Sequence, residues 1–141
     1  MLVFLTLGIT LEGLHGFKVG WYLDASSETR RLLWTLAHAH GTLFAIIQIA
    51  FAATVSLLPH WTTSSRMFAS HCIISAGILI PSGFFLGGLF VYEADAGLGI
   101  LLVPAGALLL LIGVLLTACG VRSRAQGDVG SVDAFNASLE N

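Results

Sequence analysis

The chain has 141 residues, 56% of them apolar and only 10% charged, with a mean hydropathy of +0.90. A soluble domain carries about 25% charged residues, so this composition excludes one and marks an integral membrane protein. A formal net charge of −2 is too small to recruit nucleic acid or an acidic substrate.

A membrane span needs about 20 mostly apolar residues, and the sequence predicts an all-α bundle of four transmembrane helices. The apolar stretch begins at Met1, with no basic segment before it and no small-residue cleavage site after it, so a removed leader is not expected. The first span runs from Leu2 to Tyr22 and must carry Glu12 and His15 into the membrane to reach full length. Along it, Gly8, Glu12, Gly16 and Gly20 recur every fourth residue. That ridge should let a neighbouring helix approach closely.

The second span is predicted over Leu32–Leu58, ending before Pro59, which cannot continue a helix. The third covers Arg66–Tyr92 with Pro81 inside it, and the fourth Leu98–Val121 with Pro104 in its first half. Short connections remain at Asp24–Arg31, Pro59–Ser65 and Glu93–Gly97. Ser26 and Ser27, and then Thr63 to Ser65, supply candidate helix-capping hydroxyls. Residues 1–122 thus form the transmembrane domain. Residues 123–141 are polar and are expected to form a disordered tail.

Trp21, Tyr22, Trp34 and Tyr92 mark one membrane interface and Trp61 the other, as aromatic belts do. Lys18, Arg30 and Arg31 lie on the side of the first connection, and Arg66, Arg122 and Arg124 on the opposite side. If Lys18 is counted with a site and not with the loop, the positive-inside rule puts both termini in the cytoplasm. Cys72 and Cys119 both fall in apolar spans without CxxC spacing, and they signal neither a disulfide framework nor a zinc knuckle.

Ionisable groups in hydrocarbon are expensive and mark candidate functional sites. At a rise of 1.5 Å per residue, His15 lies roughly 10 Å from the first-connection face and His38 and His40 roughly 9–13 Å from it. Glu12 and Lys18 fall about one turn to either side of His15. These five residues therefore share a layer. His71 lies near the other face and is expected to hydrogen-bond within the bundle, in a polar seam with Ser75, Ser82 and Glu93. His60 is expected in a solvated loop.

Residues two apart on a helix point about 200° apart, so His38 and His40 face different ways. His38 shares its side with Thr35, Gly41, Thr42 and Ala45, with Gln48 at the margin. That small, polar face suits the inside of a bundle. His40 shares its side with Leu36, Leu43, Phe44 and Ile47, which suits a different helix, another subunit or the headgroup zone. Glu12 should be buried on its glycine ridge, with His15 beside it and Lys18 beyond.

Imidazole is the commonest metal ligand, and haem is often held by axial histidine. His38, His15 and His40 are accordingly the candidate haem ligands. His38, His15 and Glu12 are the candidate ligands of a single metal ion, with Lys18, Thr42 and Gln48 as further polar site residues. Glu12-Gly-Leu-His15 also has the Glu-x-x-His form of di-iron bundles, but those need two such motifs and two more carboxylates. The segment Trp34-Thr-Leu-Ala-His38-Ala-His40-Gly41-Thr42-Leu43 resembles the His-x-His helix of small four-span membrane proteins related to the haem-copper oxidase catalytic subunit. The resemblance covers this one helix and lacks that pattern's leucine-glycine ending. It implies His38 or His40 as a haem or metal ligand in a respiratory context.

The sequence therefore points to a small polytopic membrane protein with an intramembrane His/Glu site for haem or metal. It would work within the lipid bilayer as a homo-oligomer or beside other membrane subunits. Two other readings share the same residues. One is an accessory subunit in which they hold helices together. The other is a proton-linked solute transporter with Pro81 and Pro104 breaking its helices.

Overall fold

In hydrocarbon every backbone N–H and C=O must find its partner inside the protein, which leaves the helix as the form for isolated apolar segments. The computed structural model describes residues 2–23, 28–58, 61–92 and 95–139, with 124–139 as backbone alone. Ser26 and Ser27, His60 and Glu93, and the roles expected of them, lie outside the described residues. The elements are α1 (Leu2–Gly16), α2 (Gly20–Leu23), α3 (Glu28–Ser56), α4 (Thr63–Leu89), a 3-10 turn (Leu98–Leu101) and α5 (Leu102–Leu139). Three stretches are long and apolar enough to cross a membrane: Glu28–Ser56, Thr63–Leu89 and Leu98–Ser123. The compositional boundary at residue 123 falls inside α5, whose helical backbone continues to Leu139.

The first predicted span is divided. α1 is apolar but has only 15 residues, about 22 Å against a hydrocarbon core of about 30 Å. Its end is set by backbone chemistry. Lys18 adopts φ 51°, the left-handed form that closes helices. The Val19 N–H donates to Leu14 O and the Lys18 N–H to His15 O, both at 3.1 Å, which satisfies carbonyls the last turn would leave open. The four-residue glycine ridge is therefore cut short. Added Cβ atoms at Gly16 and Gly20 would meet nothing within 4 Å, and only Gly8 makes the close approach expected of that ridge.

The helices stand in a row, with α1 against α3, α3 against α4, and α4 against α5. α4 is central: half of its most apolar stretch is buried, against 11% for the corresponding stretches of α3 and of Leu98–Ser123. Small residues make this possible. On the last helix and the turn before it, Gly99, Gly106, Gly113 and Gly120 recur every seven residues and receive Leu86, Ile80, Ile73 and Trp61. A seven-residue period keeps one stripe turned toward one neighbour, and glycine there lets backbones come close. Phe44, Ala76 and Ile80 form the core, with Phe84 and Val103 packed on it.

The two prolines do not break their helices. α4 is helical on both sides of Pro81, which is fully buried. Pro104 is the third residue of α5, in the first turn, where an N–H has no intrahelical partner in any case. Thr62 occupies the cap position of α4 without a side-chain cap bond, so capping hydroxyls do not start this helix; its first turn is held by the Arg66 N–H donating to Thr62 O at 3.0 Å. Aromatic rings gather at both ends. Trp34 stacks on Phe85 at 5.8 Å and meets Trp21 edge-on at 6.5 Å, while Phe51 meets Trp61 at 6.2 Å at the other end.

Candidate functional site

The contact between α1 and α3 is built from two rings laid over two glycines. The Phe4 ring covers Gly41, and the His38 ring covers Gly8. The pairing of 4 with 41 and 8 with 38 makes the two helices antiparallel. A Cβ on Gly8 would stand 2.6 Å from Nδ1 and 2.8 Å from Nε2 of His38. The ring passes only because no side chain is there.

His38 is tied across this contact. Its Nδ1 lies 2.6 Å from the Phe4 carbonyl oxygen. A carbonyl only accepts, so Nδ1 carries the proton and donates. In the neutral form of the ring the lone pair is then on Nε2. Histidines that bind metals are oriented in this way, through the nitrogen that does not bind. His40 and His71 also donate from Nδ1, but to carbonyls of their own helices, Leu36 O at 2.8 Å and Met67 O at 2.7 Å. Of these three, only His38 spans two helices.

Beside the His38 ring lies a cleft of about 290 Å³ lined by Gly8, Leu11, Glu12, His15, Tyr22, Thr35 and His38. The structure thus brings Glu12, His15 and His38 to one place. Their burial differs from expectation. His38 is half-buried, whereas Glu12 and His15 are exposed. The reason is the packing order: α1 lies against α3 at one end of the row, and its outer side is uncovered. Among the described residues neither Glu12 nor His15 has a hydrogen-bond or ion-pair partner.

The other expected site residues are elsewhere. Lys18 sits exposed in the turn after α1 and does not line the cleft. Thr42 donates its hydroxyl to His38 O at 3.0 Å, within its own helix. Gln48 lies against Gly77 of α4 and lines a different cleft. His40 is half-buried, its ring 4.9 Å from that of Phe84 on α4. It therefore meets the different helix, because α3 is covered on two sides. His71 is exposed and bonds only along α4, since its side of the helix is turned out of the row; Ser75 and Ser82 are half-buried.

Tyr22 is the residue that sequence reasoning assigned only to the interface belt. It is 4% exposed, closes one side of the cleft, and its carbonyl receives the Arg31 guanidinium at 2.9 Å. The break at Phe17–Val19 separates Tyr22 from α1, and the Arg31 bond ties it to α3.

Among the described residues no three His, Cys, Asp or Glu side chains come together as a metal cage. What the cleft offers is one imidazole of fixed tautomer, with a carboxylate and a second imidazole on its open side. Such a set can supply a single ligand to an iron or carry protons between Glu12 and His15. No protein-family model, curated protein or solved structure matches the chain.

Proposed function

We propose that this is a small four-span membrane protein whose working part is the Glu12–His15–His38 cleft. In this reading α2 completes the first crossing that α1 begins, and both termini face the cytoplasm. The cleft holds haem or a single metal ion through Nε2 of His38. The remaining ligands come from a second copy or another membrane subunit, because the donors among the described residues do not form a cage by themselves. The haem-linked, respiratory setting follows from the resemblance of the His38-Ala-His40 helix.

The observation that carries the reading is the Nδ1 bond from His38 to Phe4 O. It orients the ring from outside its own helix, which neither His40 nor His71 has. Glu12 and His15 support it from the exposed side. Ionisable groups left against lipid are costly, so a ligand or a neighbouring subunit is expected to cover them.

The test is an absorption spectrum and metal analysis of protein extracted from its native membrane in mild detergent. A Soret band or a stoichiometric metal, lost in His38→Ala and kept in His40→Ala, is the expected result. Colourless, metal-free protein would refute the ligand-binding reading. The open groove and the missing cage would then favour an accessory subunit that lends its helices to a larger complex.

A further inference from the structure

A second cleft, of about 440 Å³, opens between α3 and α4 at the end of the bundle opposite the His38 site. Its walls include Phe51, Val55 and Ile73, and three polar side chains line it: Gln48, Arg66 and Ser70. All three are half-buried. Thr42 and Thr54 on α3 return their hydroxyls to carbonyls of their own helix. Among the described residues the side chains of Gln48, Arg66 and Ser70 have no hydrogen-bond or ion-pair partner.

That combination calls for a ligand. In hydrocarbon an open polar group without a partner is costly, and three such half-buried groups converge here on one apolar groove. Their depths are ordered. Arg66 lies in the first turn of α4, at the end of the bundle. Ser70 is four residues further along, about 6 Å deeper. Gln48 lies eight residues before the end of α3 at Ser56, about 12 Å from it. A cation at the rim, neutral hydrogen-bonding groups beneath it and an apolar wall alongside match a glycerophospholipid read from phosphate to ester carbonyls to acyl chain. Guanidinium binds phosphate through paired donors. We propose that this cleft is a binding site for one anionic phospholipid, with the phosphate on Arg66, the ester region on Ser70 and Gln48, and an acyl chain along Phe51, Val55 and Ile73.

The test uses the purified full chain in uncharged detergent, with lipid binding read by native mass spectrometry. Phosphatidylglycerol is compared with phosphatidylcholine of the same acyl chains, and inorganic phosphate is added as competitor. One equivalent of phosphatidylglycerol should bind about fivefold or more tightly than phosphatidylcholine, since a basic residue near the surface contributes about 1 kcal/mol toward anionic lipid. Arg66→Gln should abolish that preference and Arg66→Lys should keep it. Ser70→Ala and Gln48→Leu should weaken both lipids alike, because both carry the same esters. Arg122→Gln, an exposed arginine on α5, should change nothing. Equal binding of the two lipids by the unaltered chain would overturn the proposal. So would a preference that survives Arg66→Gln, an equal loss in Arg122→Gln, or displacement of the lipid by inorganic phosphate alone.

Discussion

Gly8→Ala tests whether the His38 ring is held by the absence of a side chain. The added Cβ would lie 2.6 Å from Nδ1 and 2.8 Å from Nε2, closer than such atoms can stand. The ring cannot simply swing aside without giving up its 2.6 Å bond to Phe4 O. Overpacking of a filled contact costs about 1–3 kcal/mol, and losing the hydrogen bond adds about 1 kcal/mol. Alanine in place of glycine inside a helix returns about 1 kcal/mol. The net expectation is a loss of about 1–3 kcal/mol. Gly13→Ala is the internal control, because its Cβ would meet nothing within 4 Å. It should stabilise by up to about 1 kcal/mol. Two identical substitutions in α1 should therefore have opposite signs. The assay is equilibrium unfolding in mixed micelles, repeated in a His38→Ala background. There the ring is gone, and most of the Gly8→Ala penalty should vanish as coupling between the two sites. A penalty that persists without the ring, or equal effects at Gly8 and Gly13, would show that the contact does not depend on this fit.

Lys18→Gly should stabilise the chain by about 1 kcal/mol in thermal unfolding, because a side chain at φ 51° is strained and glycine is not. Gly113→Leu should cost more than 3 kcal/mol or prevent folding, since Ile73 already fills the space where its Cβ would stand. Leu in place of Ala118, exposed on the same helix, should be tolerated under the same assay. His38→Ala should remove ligand binding, and His40→Ala should lower stability by about 1 kcal/mol through its lost ring contact with Phe84. Loss of ligand in His40→Ala with binding intact in His38→Ala would reverse the assignment.

Three of the helices were legible because composition alone forces them. The apolar runs at Leu32–Leu58, Arg66–Tyr92 and Leu98–Val121 correspond to α3, α4 and Leu98–Ser123 within about a turn. α3 starts earlier, at Glu28, because polar residues at an interface can extend a helix without entering hydrocarbon. The end of α1 was hidden for a specific reason. Helices usually close on glycine in the left-handed form, and here that position is Lys18, which carries no such signal. The four-residue glycine spacing then read straight across a break. The glycines at 99, 106, 113 and 120 hold the tightest part of the bundle, yet their period is seven. A search for four-residue ridges passes over them.

The rise per residue put Glu12, His15, Lys18, His38 and His40 in one layer; Glu12, His15 and His38 line one cleft, while Lys18 sits in the turn beyond it and His40 lies on the other side of α3. Facing was legible only as direction. The wheel turns His38 and His40 apart, but it does not say what stands on either side. α1 stands on one side of α3 and α4 on the other, so both histidines are half-buried. Burial of Glu12 and His15 could not follow from the wheel at all, since it depends on how many helices surround α1. Among the described residues α3 is the one long helix packed against α1, and the outer side of α1 joins Glu12 and His15 to exposed Leu2, Val3, Leu5 and Ile9. A charged group at the centre of the bilayer costs at least about 3 kcal/mol. Were Glu12 held there as the proposed first crossing requires, a partner that pairs or solvates it would recover that energy, a factor of about a hundred in affinity. In the proposed function the exposed carboxylate is a reason for association, and a partner laid on α1 would also cover the open side of the His38 cleft.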